Sequence, residues 1–365
     1  MTSAPTPDPI PGSNAKLPAS LSLGVIGNCA FSALIDAHGR LVWSCLPRFD
    51  GDPVFNALLD DSEKGSDFAI ELEAFSHAEQ MYVPNTAVLR TRLYDQHGQA
   101  VEITDFAPRF TSRDRDFRPM MIVRRVRPLH GWPRIRVRVN PRFDWGRTEP
   151  HITRGSNHLR YVGPDLTLRL NTNAPLSHVL AQTAFVLPGE LNFLLGSDET
   201  LQTGIAETAR DFEQKTTDYW RQWTRRLALP LEWQDAVIRA AITLKLSLYE
   251  DTGAIIAAMT TSIPEAPGSS RNWDYRYCWL RDAFFVVRAL NSLSEVATME
   301  DYLRWMSNVV IDSQGGHIQP LFGIGLEKSL PESFVDNLPG YRGMGPVRVG
   351  NQAQEHFQHL SLIHI

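Results

Sequence analysis

The sequence predicts a β-then-α multidomain chain, with an antiparallel β-sandwich first and helices after it. Three observations carry this expectation. Short apolar runs separated by turn signals recur from Leu21 to about Leu195. In one run Ile135, Val137 and Val139 alternate with Arg134, Arg136 and Arg138, the period of two expected of a half-buried strand. Near Ala206 the apolar spacing changes to that of helices.

Taken in order, residues 1–17 carry prolines at positions 5, 7, 9 and 11 and almost nothing apolar. They are expected to be a disordered leader, because they cannot offset the entropy of ordering. Residues 18–200 are expected to form the sandwich. Ala30 to Trp43 reads as two strands around Asp36-Ala37-His38-Gly39, a hairpin signal. Val88–Leu93 and Val101–Phe106 repeat the pattern around Asp95-Gln96-His97-Gly98, and Met121–Val126 and Ile135–Val139 bracket Pro128-Leu129-His130-Gly131. Residues 201–229 are assigned to a linker helix, with Phe212, Tyr219, Trp220, Trp223 and Leu227 at helical spacing before Pro230. A second helix places Trp233, Val237, Leu244 and Leu248 on one stripe, and a third turns Ala283, Val286, Val287 and Leu290 inward. A fourth opens with a capping box, Ser292 with Glu295, and carries Val296, Met299, Leu303, Met306 and Val310.

Composition narrows the function classes. The 365 residues hold 36 basic and 41 acidic side chains, a net charge of −5, and are 43% hydrophobic. Such a balance gives no electrostatic reason to expect nucleic acid or anionic membrane as partner. Arg124, Arg125, Arg127, Arg134, Arg136 and Arg138 are read as a wet sheet face paired with local acids, since single-strand binding also needs an aromatic groove. Cys29, Cys45 and Cys278 make neither a disulfide framework nor a CxxC pair. With no secretory pattern, the protein is expected to be reduced and cytoplasmic. GIGLEKS, residues 323–329, lacks the glycine a phosphate loop needs, no GxSxG elbow occurs, and Glu355, His356 and His359 lack the spacing of HExxH. No metal or other cofactor is implied, and no signal for an oligomeric state is present.

One segment demands a chemical reading. Arg271 to Ala283, RNWDYRYCWLRDA, packs three arginines, two aspartates, two tryptophans and two tyrosines into thirteen positions. Rings that stack on pyranose C–H faces, beside Asp and Arg that bond vicinal hydroxyls, are what a sugar site requires. Arg–Asp pairs holding an aromatic-rich loop would have the same composition. Chemistry alone leaves both open.

The segment resembles the signature of the glycoside hydrolase family 15 catalytic domain, found in bacterial glucoamylases, glucodextranases and the trehalases of that family. GAIIAAMTTSIPEAPGSS (residues 253–270) is similar to the lead-in of that motif, and GYRGMGPVRVGN (residues 340–351) to its next marker. IGNCAFSALIDAHGRLVWSCLPRFD (residues 26–50) is similar to the opening of the sandwich that precedes the barrel. The resemblance implies an N-terminal β-supersandwich, a helical linker, and the first helices of an (α/α)6 barrel over residues 230–359. It implies inverting hydrolysis of an α-glucoside, with a glucoamylase-like exo-α-glucosidase placed first and an α,α-trehalase second. Carried over by position, Arg281 and Asp282 would grip the non-reducing glucose, Trp279 would stack nearby, and Tyr275 would face the developing oxocarbenium charge. Tyr341 and Arg342 would form an adjacent wall, and Asp274 with Arg276 a pair that holds the loop.

The family's general acid lies in a Trp-Glu motif well beyond GYRGxxPVRxGN, and its base further on. The 365-residue chain is therefore expected to contain neither catalytic group and to be an inactive part of an enzyme. Residues 360–365, LSLIHI, match the translation of a transposon-based sequencing adaptor and are expected to be foreign to the gene. A different class of reading is a non-catalytic sugar-binding or structural β-sandwich.

Overall fold

A computed structural model describes residues 19–62, 65–311 and 318–355. The expectations for residues 1–17 and 360–365, and for His356 and His359, fall outside these.

The predicted alternation becomes two large antiparallel sheets. One has seven strands, in the order Leu23–Gly27, Ser32–Asp36, Leu41–Leu46, Phe68–Leu72, Arg134–Val139 and Phe185–Val186, with Asp52–Phe55 pairing Leu41–Leu46. The other has eight, in the order His151–Arg154, His158–Val162, Thr167–Thr172, Leu191–Ser197, Met121–His130, Ala100–Phe106, Leu89–Asp95 and Phe75–Tyr82. Their inner faces share one core that includes Phe55, Phe68, Ile103, Val126, Val137 and Phe193. The two predicted hairpins are present, and their turns use one device. Asp36 Oδ1 accepts the N–H groups of His38 and Arg40, and Asp95 Oδ1 those of His97 and Gln99, each an aspartate bonding its own turn.

The third bracketed pair is not a hairpin. Met121–His130 is paired on both edges, by Ala100–Phe106 and Leu191–Ser197. It has no edge left for Arg134–Val139, which crosses to the other sheet and pairs with Phe68–Leu72. The arginines expected on one wet sheet face are thus divided between the two sheets: in the eight-stranded one Arg125 meets Glu190 and Glu213 and Arg127 meets Glu102, and in the seven-stranded one Arg134 meets Glu73 and Arg138 meets Asp67 and Glu71. Arg124 departs from this wet face. It is fully buried on Asp105 at 2.8 Å, with the Phe68 and Gly39 carbonyls as further acceptors, and so ties the two sheets together.

Helix α1 spans Leu176–Ala181, α2 Ile205–Thr224, α3 Gln234–Leu246, α4 Leu280–Ser292 and α5 Ala297–Ile311. Helix α2 thus lies within the 201–229 stretch assigned to a linker helix, over Ile205–Thr224. The inward faces of α3 and α5 also differ from expectation. On α3 they are Ile238, Ala241, Ile242 and Leu246, while Trp233 stands 79% exposed before the helix begins. On α5 they are Thr298, Tyr302, Trp305 and Val309, while Leu303 is 53% exposed. Counting aliphatic residues misplaced the α5 stripe because two aromatics carry the packing: Tyr302 stacks on Trp305, which meets the Phe322 ring edge-on. The capping box is also replaced. Ser292 Oγ donates to the Ala289 carbonyl at the end of α4, and Glu295 accepts the Thr298 N–H.

Helix α4 packs between α3 and α5. A second core, with Trp43, Trp220, Trp223, Ile242, Leu246 and Tyr341, joins the outer face of the seven-stranded sheet to α2, α3 and the 335–347 segment. Beside it a buried ionic network crosses the same boundary. Arg109 forks onto Glu250 at 2.7 and 2.8 Å, and Lys245 reaches Glu250 at 3.1 Å and Glu295 at 3.5 Å. No helix among the described residues is long and apolar enough to cross a membrane.

Candidate functional site

The 271–283 motif begins as extended chain and ends as helix, and this switch sorts its side chains. Its backbone is bonded to the lead-in segment: Ala257, Ala258 and Ser262 donate to the carbonyls of Tyr277, Tyr275 and Trp273. Cys278–Trp279 then pairs with Leu321–Phe322, and α4 starts at Leu280. Extended chain turns successive side chains to opposite sides. Asn272, Asp274, Arg276 and Cys278 are fully buried, whereas Arg271, Trp273 and Tyr275 reach the surface.

The buried side is a closed polar network. Arg276 forks onto Asp274, Nε to Oδ1 at 2.9 Å and Nη2 to Oδ2 at 2.8 Å. Asp274 Oδ2 also accepts the Gly350 N–H at 3.3 Å, and the Asp274 carbonyl accepts the Asn351 amide at 3.0 Å. Asn272 Oδ1 accepts Arg348 Nε at 3.2 Å. The 340–351 marker is therefore docked on the 271–283 motif. Gly350 itself is pressed against the 330–331 chain: its φ is +83°, and a Cβ there would lie 2.0 Å from the Pro331 carbonyl oxygen.

The open side gathers four of the six predicted residues. The Tyr275 and Trp279 rings lie 6.4 Å apart, tilted by 45°. The Arg281 guanidinium is 6.0 Å from the Trp279 ring and 3.4 Å from Asp282, and both charged side chains are substantially exposed. Trp279 Nε1 is buried with no protein acceptor. Partial burial pushes the Tyr275 hydroxyl up from its ordinary value, and the nearby carboxylates Glu265 and Asp282 add to the effect. Tyr341 and Arg342 are not joined to this group. Tyr341 is buried in the core between sheet and helices, and Arg342 Nε donates to the Ala19 carbonyl at 2.7 Å. The expected adjacent wall is thus turned toward the sandwich, where an apolar ring and a backbone acceptor hold it.

Glu265, from the lead-in, also belongs to the open side and was not singled out from sequence. Its carboxylate accepts from Arg271 at 2.8 Å and from Trp273 Nε1 at 3.1 Å. Those hydrogen bonds hold it below the usual carboxylate range, so at neutral pH it is an acceptor and not a proton donor. The signal was its place in SIPEAPGSS, within the segment that resembled the family. Among the described residues no cluster of His, Cys, Asp or Glu is arranged to hold a metal ion.

A face with one half-exposed ring, a buried indole whose N–H has no protein acceptor, an exposed guanidinium and two carboxylates is suited to a polyhydroxylated ligand. Comparison with known proteins agrees in kind. Residues 13–178 match the model described as Trehalase-like, N-terminal, and residues 232–359 match Glycosyl hydrolases family 15. A Trehalase of Thermoplasma volcanium is 29% identical over 346 residues, 92% of this chain and 54% of the relative. A Trehalase of Mycolicibacterium smegmatis is 30% identical, over 94% of this chain and 55% of its own length. Trehalase 1 of Sulfolobus acidocaldarius is 32% identical, over 92% and 57%. The chain spans about half the length of the curated relatives it matches. With both segments present in one chain and in this order, the chain holds a segment similar to the glycosyl hydrolase family 15 domain behind one similar to the trehalase-like N-terminal domain.

Proposed function

We propose that this chain supplies the sandwich and the glucose-gripping part of an inverting α-glucosidase, and that its substrate is α,α-trehalose. The observation that carries the reading is the convergence of the exposed Arg281 and Asp282 and the half-buried Tyr275 around the buried Trp279 ring. Arg281 and Asp282 bond the hydroxyls of the non-reducing glucose, Trp279 stacks on it, and Tyr275 faces the anomeric carbon. Trehalose takes precedence over the malto-oligosaccharides placed first from sequence, because the relatives named above carry the name trehalase. The helices α3 to α5 belong, on this reading, to an (α/α)6 barrel.

In an inverting hydrolase one carboxylic acid protonates the leaving oxygen, and a carboxylate on the opposite face activates water, the two about 6.5–9.5 Å apart. By the family resemblance both groups lie beyond Asn351 in the complete enzyme. The pure 365-residue chain should therefore release no glucose from trehalose, maltose or maltotriose. In the complete enzyme Asp282→Asn should lower kcat/KM on the order of 10- to 100-fold, the worth of hydrogen bonds to a charged group. Arg281→Lys should also be costly, because an ammonium lacks the planar fork. Near-normal kinetics in both variants would refute the assignment, and maltose cleaved faster than trehalose would return the malto-oligosaccharide reading.

A further inference from the structure

Arg276 lies inside the 271–283 motif, but its outer contacts come from the sandwich. Its Nη1 donates to the Gly51 carbonyl at 2.8 Å, and its guanidinium stands 4.9 Å over the Trp145 ring. Both partners are themselves held in place. Gly51 donates its N–H to the Arg48 carbonyl at 2.9 Å, and a Cβ on it would lie 2.5 Å from the Leu46 carbonyl oxygen, so this tight turn admits no side chain there. Asp144 and Trp145 both adopt left-handed backbone, with φ of 50° and 56°, a conformation that non-glycine residues keep only when the surroundings impose it. Here the imposing group is Asp52, whose carboxylate accepts the N–H groups of Asp144 at 2.7 Å and Trp145 at 2.8 Å. Asn337 adds a clamp from the other side, its amide donating to the Trp145 carbonyl at 2.7 Å.

The chain of contacts runs on from Arg276. Its fork orients Asp274, and Asp274 holds Gly350 and Asn351. Tyr275 lies between the two locked residues, and Trp279 follows three positions beyond Arg276. Because side chains alternate along extended backbone, locking 274 and 276 inward turns 275 outward.

We propose that Trp145 and Gly51 of the sandwich are positioning residues for the sugar face: by seating Arg276 they set the direction of Tyr275 and Trp279. The inference rests on the reading of that face as sugar-binding, and its ligand is the same glucoside. The sandwich then does more than support the helical part, because its 144–145 turn tunes the face from behind.

The test uses the full 365-residue chain labelled with 5-fluorotryptophan, with the Trp279 resonance assigned by Trp279→Phe. Trp145→Leu removes the ring under the guanidinium. It should shift or broaden the Trp279 resonance and weaken trehalose binding, followed by calorimetry, by about fivefold to thirtyfold, the range of a desolvated cation–π contact. Trp145→Phe keeps a ring and should restore both readouts to within about twofold, which a merely structural filler of similar size would not require. If Trp145→Leu does not fold, Trp145→Met, which fills the space without a ring, replaces it with the same two outcomes expected. An unchanged Trp279 resonance and unchanged affinity across the variants would overturn the proposal. If the wild-type chain binds no trehalose, the sugar reading fails on its own, and the Trp279 resonance still decides the positioning role.

Discussion

Asp274 with Arg276 and Arg281 with Asp282 are the same chemical pair in one short motif, yet they sit in opposite surroundings. In the first, both side chains are fully buried, bidentate at 2.9 and 2.8 Å, and every remaining direction is filled by Gly51, Trp145, Gly350 or Asn351. In the second, one contact of 3.4 Å joins side chains that are 53% and 40% exposed. A buried pair whose partners are all protein has nothing left to offer a ligand. An exposed, loosely joined pair keeps donors and acceptors free for one. Composition could not tell a buried pair from an exposed one, and the packing does.

The largest effect should come from breaking the buried pair. Asp274→Asn leaves the Arg276 charge without its counter-ion, and the loss of stability should be about 3–5 kcal/mol in urea unfolding. Asp282→Asn should change the same measurement by less than about 1 kcal/mol, as expected for an exposed pair. Equal costs for the two variants would erase the distinction drawn here.

Gly350→Ala tests the Gly350 turn, which carries the N–H bonded to Asp274 and lies against the 330–331 chain. With φ of +83° and a Cβ 2.0 Å from the Pro331 carbonyl oxygen, the variant should lose about 1–3 kcal/mol. Thermal unfolding followed by tryptophan fluorescence measures it. A neutral result would mean that the 340–351 segment moves freely and does not brace Asp274.

The smallest effect concerns pH and the other boundary network. Burial alone would raise the Glu250 carboxyl, but Arg109 and Lys245 outweigh it and hold the group below its ordinary value of 4.5. The unfolded chain therefore binds a proton at this site more readily than the native state. The stabilisation is present above that ordinary value and is lost as the pH falls through the lowered one. Between pH 7 and 4 the wild type should lose about 1 kcal/mol more than Glu250→Gln, read from urea midpoints. Parallel losses in the two proteins would place the acid sensitivity elsewhere.

How much of this was legible beforehand depended on the range of each interaction. The hairpins around Asp36 and Asp95 could be read because the bonds that make those turns join residues within four positions of each other. The pairing of Asp274 with Arg276 was equally local. The failed hairpin after Met121–His130 depended on which neighbours had already taken both edges of that strand. The faces of α3 and α5 were misread because amphipathic counting shows that a stripe exists, but a partner such as Phe322 selects which residues form it.

By itself, then, the amino-acid order determined the strand-to-helix switch, the turn chemistry and the motif with its sugar-like residue set, all set by contacts a few residues long. Only the tertiary structure decided that Tyr341 packs into the core beside the sandwich, that Arg342 bonds the Ala19 carbonyl, and that Trp145 and Gly51 meet Arg276. Those outcomes rest on side chains more than a hundred positions apart. No local propensity encodes such meetings, because they follow from the closure of two sheets and the docking of helices on one of them.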